Sequence, residues 1–131
     1  MSGVVYQTPF GYVQEFTANL AQAAATYDLC TASGDVQIYR VGIYVATAGA
    51  TFTSVTIQSN QTTPFTLLNV IDGAVANLAS QKSIVTSWTQ AFPWSLRNAQ
   101  KIQYTIAGST GTGSLRVTIG YTPISGGASL S

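Results

Sequence analysis

Residues 101–121 restrict the possible folds more than any other part of the chain. Lys101-Ile102-Gln103-Tyr104-Thr105-Ile106 and Ser114-Leu115-Arg116-Val117-Thr118-Ile119-Gly120-Tyr121 both alternate apolar and polar residues. A period of two puts Ile102, Tyr104, Ile106, Leu115, Val117, Ile119 and Tyr121 on one face, and Lys101, Gln103, Thr105, Arg116 and Thr118 on the other. Between them runs Ala107-Gly108-Ser109-Thr110-Gly111-Thr112-Gly113, which has no side chain able to build a core. The pattern predicts an antiparallel hairpin with one buried face. A two-stranded hairpin is marginal alone in water, so its apolar face must meet a second layer that the rest of the chain supplies.

Several upstream runs suit that second layer. Residues 36–45 are strand-like, but Val36 and Ile38 share one parity and Val41, Ile43 and Val45 the other, which predicts a β-bulge near Tyr39 and Arg40 or a strand covered on both faces. Residues 51–59 follow after a turn, with Thr53, Val55 and Ile57 on one face, and are expected to form a hairpin with the preceding run. Residues 14–20 give a weaker strand signal, with Glu15 and Thr17 out and Phe16 and Ala18 in, and residues 27–30 another. Residues 62–73 fit a helical turn about as well as a strand, and residues 83–88 are strand-like. Short strands at this spacing, with little helix, predict an all-β, two-sheet antiparallel β-sandwich in a single domain. We expect residues 1–12 to be an extended arm or edge strand, residues 13–122 the sandwich, and residues 123–131, with Pro123, Gly126 and Gly127, a flexible C-terminal tail.

Composition argues against most chemistry. Only 7% of the 131 residues are charged, five basic against four acidic, where ordinary soluble domains carry roughly a quarter. The basic residues are scattered, so no patch is available for a phosphate backbone and nucleic acid is not an expected partner. The 18 Thr and 13 Ser supply polarity without charge. No apolar run reaches the ~20 residues of a membrane span, so no membrane partner is expected. Met1-Ser2-Gly3-Val4-Val5-Tyr6 lacks the basic and apolar regions of a secretory leader, which predicts synthesis in a reducing cytoplasm and leaves Asn60-Gln61-Thr62 an accidental glycosylation triplet. There is no histidine, and Cys30 is the single cysteine, read as a small buried strand residue. Glu15, Asp28, Asp35 and Asp72 are dispersed, on a weak strand or beside turns. The glycine-rich residues 108–114 lack the lysine and following helix of a phosphate loop. We therefore expect no catalytic residue, no metal site, no cofactor and no enzymatic activity.

The aromatic residues are the remaining candidates. Trp88, Phe92 and Trp94 fall within seven residues around Pro93. Buried, they would plug the sandwich or form a subunit contact; exposed, they would offer a platform for sugar rings. Val5, Tyr6, Phe10 and Tyr12 make the N-terminal segment apolar, and such a segment needs a surface to cover.

The strand at residues 36–45, the run Ala50-Thr51-Phe52-Thr53-Ser54-Val55-Thr56-Ile57, Thr63-Pro64-Phe65-Thr66-Leu67-Leu68, and the closing segment from Leu96 through Lys101 to Ile106 with its Gly/Thr-rich connection together resemble the small capsid decoration (cement) proteins of tailed bacteriophages. The resemblance spans residues 25–122 and has no diagnostic motif. It implies a jelly-roll-like sandwich, commonly a homotrimer, on the outer face of a virion. There it would bind the major capsid protein and clamp neighbouring shell subunits, with Val5, Tyr6, Phe10, Tyr12, Trp88, Phe92 and Trp94 as candidate interface residues. Two alternatives remain at this point: a phage tail-fibre or receptor-binding domain recognising host surface glycans, and a shell-building capsid or minor tail protein.

Overall fold

In a computed structural model the described residues are 2–8 (by their backbone), 11–84, 86, 88 and 91–131. Eleven strands are described: β1 (Ser2–Thr8), β2 (Gly11–Asn19), β3 (Thr26–Ser33), β4 (Val36–Ala50), β5 (Ser54–Ser59), β6 (Thr66–Leu68), β7 (Lys82–Ser83), β8 (Trp94–Leu96), β9 (Lys101–Ala107), β10 (Thr112–Pro123) and β11 (Ser129–Leu130). A single 3-10 turn, Val75–Asn77, interrupts them among the described residues. One sheet runs β1-β2-β10-β4-β7, with β8 also paired to β4, and the other runs β11-β3-β9-β5-β6. Every pairing between these strands is antiparallel. The interleaved orders β2-β10-β4 with β7 and β8, facing β3-β9-β5-β6, make a jelly roll, the architecture expected of the two-sheet sandwich.

That topology corrects both expected hairpins. β9 pairs with β3 and β5, whereas β10 pairs with β2 and β4, so the two halves of residues 101–121 lie in opposite sheets. The face assignment holds: Ile102, Tyr104, Ile106, Leu115, Val117, Ile119 and Tyr121 are all buried and look at one another across the core. Packed sheets stand about 10 Å apart, and the four residues 108–111 can span about 13 Å, so the linker is long enough to cross. β4 and β5 part company in the same way, joined across the sheets by residues 51–53. Phe52, not Thr53, turns into the core there, because the chain bends through Thr51 with φ 72°. The two crossings fasten to each other through the Thr51 hydroxyl, which donates to the Thr110 carbonyl at 2.8 Å, and the Ser109 hydroxyl, which donates to the Thr51 carbonyl.

The parity change in β4 is a bulge. Gly120 of β10 is opposite Arg40 while Tyr121 is opposite Ile38, leaving Tyr39 as the extra residue. Val36 and Ile38 before it, and Ile43 and Val45 after it, all reach the core. Residues 123–131 do not form a flexible tail. Ser129 and Leu130 pair with Ser33 and Ala32, Ser131 and Thr31 exchange backbone hydrogen bonds of 2.8 and 3.0 Å, and Ala128 and Leu130 are buried. The glycines that suggested freedom make a turn instead, with Gly127 at φ 75°. β1 is the outermost strand of the first sheet, paired to β2 from Ser2 to Thr8. Residues 66–68 are strand, and residues 21–25 form bends and irregular backbone between β2 and β3.

Candidate contact surfaces

The titratable groups are dispersed over the sandwich. Among the described residues no three of His, Cys, Asp and Glu come together as a metal cluster. Asp28 accepts from Lys101 Nζ at 2.7 Å and from Gln103 Nε2 at 2.9 Å, and the lysine contact, followed by the glutamine, holds its carboxyl below the usual carboxylate range. Glu15 lies 4.0 Å from Arg116 on the neighbouring strand. Asp35 accepts from the Asn98 backbone N–H at 2.9 Å, and Asp72 from the Asn69 amide at 3.0 Å, so both serve turns. Cys30 is buried on β3, and burial pushes its thiol up to about 12. A thiol held protonated in this way is a poor nucleophile.

Trp88, Phe92 and Trp94 do come together, and Phe65 joins them. Trp94, on β8 beside Ile38 of β4, stacks on Phe65 with ring centroids 4.9 Å apart and lies 4.3 Å from Phe92. Trp88 meets Phe92 and Trp94 edge-on, at 5.0 and 5.8 Å. The two tryptophans differ in exposure: Trp94 is 4% exposed and Trp88 38%. Trp88 is held by its Nε1–H, which donates to the Leu67 carbonyl at 2.9 Å. Trp94 is therefore a core residue, and Trp88 covers the group from outside. Sequence reasoning missed Phe65. Its place after Pro64 and just before the apolar Leu67-Leu68 pair of β6 was the available signal.

Of the other candidates, Val5, Tyr6 and Tyr12 lie on the two outermost strands of the first sheet. Tyr12 stacks on Tyr121, its register partner on β10, at 5.6 Å and 29°. Tyr12, Gln14, Tyr121, Ala128 and Leu130 line a cleft of about 370 Å³ where the sandwich ends. Gln14 is buried there, and burial raises the Tyr121 phenol, whose hydroxyl meets the Leu130 backbone. Val5 and Tyr6 lie on β1 opposite Gln14 and Val13, while Phe10 lies outside the described residues. The structure thus joins Trp88, Phe92 and Trp94 in one group and seats Tyr12 in another. β11 closes the second group, which the expected free tail had hidden.

Compared with protein-family models, curated proteins and solved structures, the chain matches none of them.

Proposed function

We propose that this chain is a structural virion protein of the cement type. It binds the outer surface of an assembled bacteriophage capsid as a homotrimer and bridges major capsid protein subunits, after synthesis in the host cytoplasm. The observation that carries this reading is the first sheet's outer edge. β1 is seven residues long, and its sequence Ser-Gly-Val-Val-Tyr-Gln-Thr has neither charge nor proline. Among the described residues no strand pairs with its outer side. The strands that bound the sheets elsewhere, β6, β7, β8 and β11, are only two or three residues long. Short or charged edges are the usual protection against unwanted pairing, and β1 lacks both. A strand with one open row of backbone donors and acceptors is suited to meet another protein subunit.

Further support comes from the near absence of charge, which lets neutral copies pack closely, and from the jelly roll, an architecture that viral capsid domains share with lectins. The latter is an analogy of fold alone. The mechanism is linkage: a protein that binds only the closed shell, at many sites, shifts the equilibrium away from rupture.

The test is the copy number of this chain in purified particles, measured against the major shell protein. A ratio within a small factor of one supports the proposal, and a ratio of a few per cent transfers the chain to a tail. Deletion of residues 1–8 gives a second test. It is expected to weaken trimer or shell binding while circular dichroism still reports a folded β protein. Unchanged binding sinks the role assigned to β1.

A further inference from the structure

Gly42 sits in the interior of the fifteen-residue β4, opposite Thr118 of β10, and faces outward. Glycine weakens a strand, and it is kept in one where the backbone conformation demands it or where something must come close. The backbone does not demand it here, since Gly42 lies outside the left-handed region. Neither does packing among the described residues: of these a Cβ would meet only the Thr118 Cβ, at 3.9 Å, an ordinary contact. The contrast with Gly120, on the same outer face, is direct. A Cβ on Gly120 would come within 3.0 Å of both the Arg40 Cβ and the Tyr39 ring. Gly120 is bare so that the bulged residues Tyr39 and Arg40 can lie over it, whereas none of the described residues fills the space above Gly42.

The bulge thereby sets one rim of a shallow trough. Arg40, Gly42 and Tyr44 follow one another on the outer face, giving a guanidinium, a bare backbone floor and a half-exposed phenol ring. Thr118 forms one side. Ser83, paired with Tyr44, and Ile84, whose N–H donates to the Ile43 carbonyl at 2.9 Å, form the other. The trough measures about 280 Å³, near the low end of the ~300–1,000 Å³ typical of small-ligand sites. No carboxylate lines it, and among the described residues none lies within 4.0 Å of Arg40. Across the sheet Glu15 is opposite Thr118 and lies 4.0 Å from Arg116, and Asp72 lines the adjoining cleft together with Lys82 on the far side of Ser83 and Ile84.

From this geometry we propose that the trough binds a single pyranose ring bearing a carboxylate, a uronic acid or a related acidic sugar. One face of the ring lies on the Gly42 backbone and against Tyr44, the carboxylate meets the Arg40 guanidinium, and ring hydroxyls reach Thr118 and Ser83. The site is separate from the aromatic group of Trp88 and Trp94, and it does not depend on the chain's place in a particle.

The test is a nuclear magnetic resonance titration of the isotope-labelled full chain with methyl β-glucuronide and, in parallel, the neutral methyl β-glucoside. The amides of Gly42, Tyr44 and Thr118 are expected to shift with the glucuronide, and about tenfold more weakly with the glucoside. Arg40→Gln should remove the preference for the acid. Gly42→Val, which adds a β-branched residue where space exists, should abolish the response while leaving the thermal midpoint unchanged or raised. Should that variant fold poorly, Tyr44→Ala tests the same contact from the rim and is expected to weaken binding. Absence of shifts at these amides up to the solubility of either sugar overturns the proposal, as does an undiminished response in Gly42→Val or Tyr44→Ala. Loss of oligomer or shell attachment in Gly42→Val, with no response to either sugar, also overturns it and makes the trough a protein contact.

Discussion

Trp88 and Trp94 are six residues apart and belong to one aromatic group, but the fold uses them in opposite ways. Trp94 is on a strand that pairs with β4, so its ring is carried into the core and stacked on Phe65. Trp88 lies outside any described strand, and a single hydrogen bond to Leu67 together with edge-on ring contacts holds it against the surface of the group. Two neighbouring residues of β3, Asp28 and Cys30, repeat the contrast. Cys30 is inside and protonated, and Asp28 is outside and paired. Residue type and sequence neighbourhood do not decide these roles. Strand membership decides for the tryptophans, and on β3 the register shift between Asp28 and Cys30, which breaks the alternation, decides for the other pair.

The most severe way to break the comparison is Trp94→Ala. It should cost about 3–5 kcal/mol through the cavity it leaves against Phe65, Phe92 and Ile38. Trp88→Ala should cost well under half as much, because much of its ring is already in water. Urea unfolding monitored by circular dichroism compares the two, and equal losses would show that Trp88 is also part of the core. Trp88→Phe isolates the hydrogen bond, since a phenyl ring keeps the edge contacts and leaves the Leu67 carbonyl without its indole donor. About 0.5–1.5 kcal/mol is expected. Acrylamide quenching of the single-tryptophan variants sharpens the same distinction. The Trp88 emission should be readily quenched, and that of Trp94 should resist.

Cys30 extends the comparison to pH. Its folded-state value of about 12 lies above the ordinary 9.0, so the folded protein holds the thiol proton more tightly than the unfolded chain does. This contribution is fully present below pH 9.0 and is lost as pH rises from there toward about 12. Cys30→Ala should flatten the alkaline fall of the urea midpoint relative to the parent chain. The smallest effect belongs to Asp28. Its folded-state value is lowered, so its contribution is present above the ordinary 3.8 and disappears as pH falls through the lower folded value. The pair with Lys101 is exposed, at 48% and 37% of the side-chain surfaces, which limits it to about 0.2–1 kcal/mol. Asp28→Asn should therefore change the acid limb only slightly, and added salt should shrink the difference further.

Of the candidate contacts, the sequence marked the grouping of Trp88, Phe92 and Trp94 because they are close along the chain. It could not mark Phe65, more than twenty residues earlier, or the stack of Tyr12 on Tyr121, whose members lie at opposite ends of the chain. The trough at Gly42 was also illegible. A glycine within an apolar run reads as a local weakness until the neighbouring strands show that none of the described residues occupies its space.

Alternation along β9 and β10 determined which of their side chains enter the core, because adjacent side chains in a strand must point to opposite faces. The slipped parity of residues 36–45 narrowed β4 to a bulged strand or one covered on both faces, and the pairing with β10 decided for the bulge. Which strands stand side by side was decided only by the tertiary structure. A strand's inward face is the same whether its partner is the next strand in sequence or one eighty residues away, and a short Gly/Thr-rich connection can close a hairpin or cross the ~10 Å between sheets. The jelly roll chose the crossing in both places, and with it the neighbours that make Trp94 core, draw residues 129 and 130 onto β3, and leave the space over Gly42 unfilled by any described residue.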